Sequence, residues 1–256
     1  MTPRPVYLLA GATATGKSAV AAILAREIGA AILSADSMLV YSGMDIGTAK
    51  PSWAERCEFR MGGVDLVTPA EDFSSGEWLR RASQWGRALP EGMPVVVVGG
   101  TGLYFTALLR GLDEPWTPPP PEYPVLRMDR ARLRARLRER IDDMFAAGLE
   151  AEVARLRSQY PVWSRTASAA IGYKEFASQS RVPGRSVRDA IYYRTSKFAK
   201  RQDTWFRHQS TPIWVDAADD VRETAERVRR AWRAHGPWRV AAFSQSAPVS
   251  AQRSRQ

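Results

Sequence analysis

Over its first hundred residues the chain alternates short apolar runs with stretches of helical period. Residues 5–10 (PVYLLA) form a continuous apolar run that predicts a buried strand, and a glycine-punctuated turn follows at once. Val20, Leu24 and Ile28 then recur at every fourth position, predicting a helix from about Lys17 to Ile28 with one core-facing stripe and Gly29 as its stop. Residues 31–34 predict a second strand and residues 94–98 a third, which ends at Gly99 and Gly100. This order is what a parallel sheet with crossover helices requires, so the expected class is α/β.

The stretch 113–124 (DEPWTPPPPEYP) breaks the pattern, because consecutive prolines exclude helix interiors and central strands. Beyond it the chain turns helical. Leu133, Leu137, Ile141 and Met144 make one seam, Arg130, Arg132, Arg134, Arg136 and Arg138 point elsewhere, and Arg140 flanks the seam directly. A further helix over 186–208 puts Ile191, Thr195, Phe198, Gln202 and Trp205 on one face, where a buried Gln202 needs a specific hydrogen-bond partner. Residues 212–216 predict a last strand and 219–235 a closing helix. The expected division is a first part of an α/β core (1–112), a Pro-rich linker (113–126), a basic, mainly helical second region (127–210), a closing strand and helix (211–240) and a disordered tail (241–256).

Composition narrows the class. Hydrophobic residues make up 45% and charged residues 25% of 256, the balance of a globular chain, and no apolar run reaches membrane-spanning length. A single cysteine, Cys57, excludes an internal disulfide. Residues 5–14 superficially resemble a secretory apolar stretch but run into Gly16, Lys17 and Ser18 without a cleavage context, so a cytoplasmic location is expected, with no membrane partner. The net charge of +10 is lopsided: residues 127–140 carry seven Arg against two acids and 181–207 eight basic residues against two. Two readings stay open at this point, a polyanion partner and an arginine-rich solvated surface.

The strongest chemical signal is GATATGKS at 11–18. Gly, four residues, then Gly-Lys-Ser between a strand and a helix is the phosphate-loop pattern. The backbone of Gly11, Ala12, Thr13, Ala14, Thr15 and Gly16 and the helix N-terminus surround phosphate oxygens, Lys17 adds a point charge, and Ser18 is placed to ligate magnesium. The loop implies a phosphate or diphosphate ligand and leaves the reaction open. A P-loop hydrolase also needs an acid at a buried strand end, yet VVVV at 95–98 ends in Gly99-Gly100-Thr101. Asp36, after the second strand, is the carboxylate placed near the loop, either as a proton acceptor or as a turn-capping residue.

Five ordered blocks, GATATGKS, SADSMLVYSGMDIGTAKP (34–51), VVVGGTGLY (96–104), IGYKE (171–175) and AKRQDTWFR (199–207), resemble the tRNA dimethylallyltransferase family. The resemblance implies a P-loop fold and transfer of a dimethylallyl group from dimethylallyl diphosphate to N6 of an adenosine beside the anticodon of tRNA, with Mg2+ as cofactor. It implies Asp36 as the acid that takes the N6 proton, Thr101 beside the reacting groups, Lys17 and Arg140 on the diphosphate, and Ser18 on the metal. Asp36, Ser37, Met38, Leu39, Thr101, Arg194, Lys197, Lys200, Arg201 and Gln202 are the residues expected to meet tRNA, with Tyr192, Tyr193, Trp205 and Phe206 close enough in sequence to stack on bases.

The chain departs from the family's pattern at Leu39, where many members have Gln, at Ser196, where many have Arg, and at Met61-Gly62-Gly63, which replaces a basic or His-containing segment. The family's helical insertion is reduced to the Pro-rich stretch. Free adenine nucleotide as acceptor, a non-catalytic nucleic-acid-binding descendant and a small-molecule kinase are the competing readings. A monomer is expected.

Overall fold

The computed structural model describes residues 4–111, 122–177 and 186–243. A five-stranded parallel sheet has the spatial order β2 (Ala31–Ala35), β3 (Val95–Gly99), β1 (Val6–Gly11), β4 (Glu122–Arg127), β5 (Thr211–Asp216). Alternate residues of a strand face opposite sides, so a buried parallel strand must be apolar throughout. Val95 and Val97 pack with Leu8, Trp78, Tyr104, Phe105 and Phe206, while Val96 and Val98 pack with Leu9, Val20, Leu24, Val228 and Trp232. The VVVV run therefore serves two cores.

α1 (Lys17–Ile28) and α9 (Val221–His235) cover one face of the sheet. The other face carries α3 (Ser75–Ala88), α4 (Gly102–Arg110) and α8 (Val187–Gln209). Between β2 and α3 runs a loop region with the short α2 (Trp53–Glu58). The second region consists of α5 (Arg130–Ala146), α6 (Leu149–Gln159), α7 (Arg165–Ser168) and a single turn at Lys174–Phe176, and α5 packs against α8. Among the described residues, no helix is long and apolar enough to cross a membrane.

Two expected boundaries move. Residues 122–127, assigned to the linker and the start of the helical region, form β4 inside the sheet, with Tyr123, Val125 and Leu126 buried. Pro124 is tolerated there because pairing with β1 begins only at Val125, one residue past it. The rest of the expected linker, 113–121, lies outside the described residues. Residues 241–243, expected in the tail, form a helical turn with Phe243 buried against Gly86 of α3; residues 244–256 also lie outside the described residues.

Three strand ends now stand side by side, with Gly99 paired to both Ala10 and Ala35. The loops that follow β1, β2 and β3 therefore open at one edge of the sheet, where parallel α/β folds hold ligands.

Candidate active site

The phosphate loop is braced from inside. Thr15, buried, donates its hydroxyl to the Ala12 carbonyl at 2.8 Å, and Lys17 Nζ donates to the same oxygen at 3.0 Å. Ala14 (φ 64°) and Gly16 (φ 89°) take the left-handed conformation that turns the loop into the helix. α1 begins at Lys17, so the first-turn amides lack intrahelical acceptors and are available to an anion. Enclosure lowers the Lys17 pKa to about 8; the charge of Asp36 opposes this and that of Arg140 adds to it.

Opposite the loop, the chain leaves β2 in a tight turn. Asp36 Oδ1 accepts from the Met38 amide at 2.9 Å, so Asp36 does serve its turn, and its second carboxylate oxygen has no such bond to the turn. Thr101 stands at the first position before α4 but makes no side-chain cap. Its Oγ1 instead accepts from the Ser37 amide at 3.0 Å and lies 3.3 Å from Ser37 Oγ, tying the strand-β3 end to the Asp36 turn. The glycines of GGTG admit close neighbours: side chains at Gly99, Gly100 and Gly102 would strike Ala35, Gln202 and Trp205 respectively.

Arg140 arrives from α5. Its Nη2 donates to the Thr48 carbonyl at 3.2 Å, and burial lowers its pKa against the pull of Asp36. Two cavities meet at Thr13, Asp36, Thr48 and Arg140. One, about 200 Å³, lies on the sheet side and is lined by Ser18, Ser34, Leu39, Glu55, Phe59 and Met61 among others. The other, about 210 Å³, lies between α5 and α8 and is walled by Leu137, Ile141, Met144, Ile171, Ile191 and Phe198, with Ser37, Met38 and Arg201 at its edges. Ser34 Oγ is buried without a protein partner.

α8 divides the residues that the sequence groups together. Gln202 is 6% exposed; its Oε1 accepts from the Thr13 amide at 2.9 Å and its Nε2 donates to the Gly100 carbonyl at 3.0 Å. Expected at an RNA surface, it is a buried strut that joins backbone groups of the phosphate loop and the GGT turn. Arg194, also expected to meet RNA, ion-pairs at 3.1 Å with Glu175, which is buried and would otherwise be an uncompensated charge. Lys197, Lys200 and Arg201 are exposed. Of the aromatics expected to stack on bases, Phe206 is core, Trp205 fills the space over Gly102, and Tyr192 lies under Arg138. Tyr193 is 38% exposed, with Lys197 Nζ 4.3 Å from its ring centre.

Sequence reasoning missed two features. Arg136, one helical turn before Arg140, has both guanidinium Nη atoms 3.8 Å from where a Gly16 side chain would begin, so it stands over the outer side of the phosphate loop. The i, i+4 relation to Arg140 was the available signal. Glu152, 6% exposed, accepts from the amides of Asp45 (3.0 Å), Ile46 (2.9 Å) and Gly47 (3.2 Å) and from the Tyr173 hydroxyl (2.7 Å). It fixes the DIGTAKP loop that carries Thr48. An acid between the apolar Leu149, Val153 and Leu156 was the sign of it.

The Isopentenyl transferase family description matches residues 4–60, and the IPP transferase description matches in two pieces, 39–128 and 114–209. A tRNA dimethylallyltransferase of Synechococcus sp. (strain JA-3-3Ab) is 31% identical over 302 aligned positions, covering 91% of this chain and 88% of that protein. That alignment is longer than the chain, so the relative carries residues with no counterpart here. One from Picosynechococcus sp. is 32% identical over 86% of this chain and 97% of its own length. In fold, the crystal structure of a tRNA delta(2)-isopentenylpyrophosphate transferase from Staphylococcus epidermidis superposes with a TM-score of 0.78 at 22% identity, over 91% of this chain and all of that one. The chain belongs to the IPP transferase family, with the tRNA dimethylallyltransferases.

Proposed function

We infer that this chain transfers the dimethylallyl group of dimethylallyl diphosphate to N6 of an adenosine in tRNA next to the anticodon (position 37), with release of diphosphate. The observation that carries this reading is the convergence of Thr13, Asp36, Thr48 and Arg140 on the junction of two cavities, with Lys17 in the sheet-side one. The sheet-side cavity contains Lys17 and Ser18 of the phosphate loop, which suits the diphosphate, with the five-carbon tail along Ala22, Ile32, Phe59 and Met61. The cavity between α5 and α8, with Ser37, Met38 and Arg201 at its edges, lies on the side of the exposed cations of α8 and suits the extruded adenine. Two substrates entering from the two sides would meet at Asp36.

In the transfer, the bond between the allylic carbon and the diphosphate oxygen breaks, the N6–carbon bond forms, and the N6 proton passes to the Asp36 oxygen that Met38 leaves free. Thr101 holds the turn that aims this carboxylate. Lys17, Arg140 and the first amides of α1 stabilise charge gathering on the departing diphosphate. Mg2+ takes few protein ligands and draws the rest from phosphates and water. The donor set suits that: Ser18 lines the same cavity as Asp36 and would hold the ion. When bound, the ion would neutralise diphosphate charge.

An adenosine stacked in an anticodon loop must be extruded to reach the junction, and Lys197, Lys200 and Arg201 supply charge for the flanking backbone. A monomer acting in the cytoplasm is part of this reading. The test is incubation with dimethylallyl diphosphate and either anticodon stem-loop RNA or AMP. The expected product is RNA carrying N6-dimethylallyl adenosine; prenylated AMP with untouched RNA would reverse the acceptor.

A further inference from the structure

The sheet-side cavity has an open end and a closed one. Ser18, Ala49 and Glu55 along its rim are exposed, whereas Ile32, Phe59 and Val98 at its floor are buried. The floor depends on one strip of chain that follows α2 and runs beside β2. The Ile32 amide donates to the Phe59 carbonyl at 3.1 Å, the Gly62 amide to the Ile32 carbonyl at 2.8 Å and the Ser34 amide to the Gly62 carbonyl at 2.9 Å. These bonds hold the strip like a strand edge and so set where Phe59 and Met61 stand. Behind each of the two side chains lies more space. Phe59 also lines a groove of about 240 Å³ at the end of α1, where the Arg26 guanidinium lies 5.2 Å from its ring centre. Met61 also lines a groove of about 470 Å³ that reaches Trp85.

Resting on the assignment of this cavity to dimethylallyl diphosphate, we propose that Phe59 and Met61 are the residues that limit the donor to a five-carbon tail. Lys17 and Ser18 hold the diphosphate end, so the tail that fits is measured from the phosphate loop to the floor. A ten-carbon tail has to displace the Phe59 ring, which is 5% exposed and belongs to the same core as Ile32 and Val98. Closely packed interiors resist added carbons, because the neighbours must leave their own rotamer minima to make room. Met61 is half-buried and unbranched, so it yields more readily. Phe59 is therefore the firmer stop and Met61 the softer one. Removing either side chain joins the cavity to the groove behind it and leaves the groups that hold the diphosphate in place.

The experiment gives the full chain dimethylallyl diphosphate or the ten-carbon geranyl diphosphate with anticodon stem-loop RNA, and reads kcat/KM for each donor and the mass of the product. Wild type should prefer the shorter donor by at least about a hundredfold, the scale on which a closed apolar pocket rejects extra carbons. Phe59→Ala and Met61→Ala should each narrow that preference about tenfold or more through a rise in geranyl transfer, with the larger change at Phe59. If Phe59→Ala does not fold, Phe59→Leu, which keeps most of the buried volume, and Met61→Ala decide. By calorimetry, geranyl diphosphate should bind more tightly to the variants than to wild type, and inorganic diphosphate should bind all of them alike. An unchanged donor preference in the folded variants overturns the proposal, as does a wild type that takes both donors equally. A wild type that prenylates no RNA, with geranyl diphosphate binding gained in the variants, would reject the acceptor reading and leave the floor standing.

Discussion

The phosphate loop and helix α8 both bring polar residues to the site, and they hold them in opposite ways. In the loop, side chains turn inward, Thr15 and Lys17 onto Ala12, and, with the Thr13 amide held by Gln202, leave the first amides of α1 to face the ligand. In α8 the backbone is satisfied within the helix, and the side chains divide by facing: Gln202 and Arg194 are engaged by the protein, while Lys197, Lys200 and Arg201 face solvent. A short motif with one geometry keeps its roles wherever it occurs, but a basic helix mixes structural and binding charges turn by turn. Substitutions in each region should therefore separate into different measurements.

The largest effect belongs to the β2 turn beside the loop. Asp36→Ala should lower prenyl transfer to RNA by at least about a hundredfold, as for loss of a positioned proton acceptor, while calorimetry finds diphosphate binding retained. Equal loss of diphosphate binding would make Asp36 a support of the loop. Next come the arginines of α5. Arg140→Ala should reduce turnover about a hundredfold, the scale of removing one donor to a developing anion. Arg136→Ala, over the exposed side of Gly16, should weaken inorganic diphosphate about tenfold or less. If Arg136 proved the more damaging, the loop would be approached mainly from outside.

Lys17 gives the comparison a pH signature. Its pKa in the free chain, lowered by enclosure to about 8, means the ammonium form is complete only below that value. An anion binds the charged form, so diphosphate affinity should be highest below about pH 8 and fall as pH rises through it, by up to about tenfold per unit. Calorimetry from pH 6.5 to 9.5 on wild type and Lys17→Met reads the inflection as the difference between the two profiles, which cancels the ionisation of diphosphate itself. Parallel profiles would place the lysine away from the anion.

How much of this was legible before the structure follows from the same contrast. The first three strands, α1 and the phosphate loop were, because short continuous apolar runs, a four-residue stripe and GATATGKS are local patterns. Asp36 was legible because a strand end and a missing acid after VVVV left it as the carboxylate near the loop. β4 was not: Pro124 argues against a central strand, and its acceptance depends on where pairing with β1 begins, a tertiary fact. The need of Gln202 for a partner was readable from its position on an apolar face, but the partner's identity was not. The Thr13 amide is 189 residues away in the chain. The bond of Arg194 was unreadable for a related reason, since Glu175 becomes its counter-charge only when the IGYKE turn packs against α8.

The smallest expected effects test the split within α8. Arg194→Ala strips the partner from a buried carboxylate and should lower the melting temperature by several degrees, as for roughly 3 kcal/mol lost from a buried pair, with RNA affinity unaltered in whatever fraction stays folded. Lys200→Ala touches only solvent-facing charge and should leave melting unchanged. It should raise the RNA dissociation constant a few-fold and reduce the slope of log affinity against log salt by about one, the mark of a single phosphate contact. Measured together, the two variants move opposite readouts only if helix facing, and not the total charge of the segment, decides which cations serve the RNA. A shared loss of RNA affinity with equal changes in salt slope would return Arg194 to the binding surface and make its bond to Glu175 incidental.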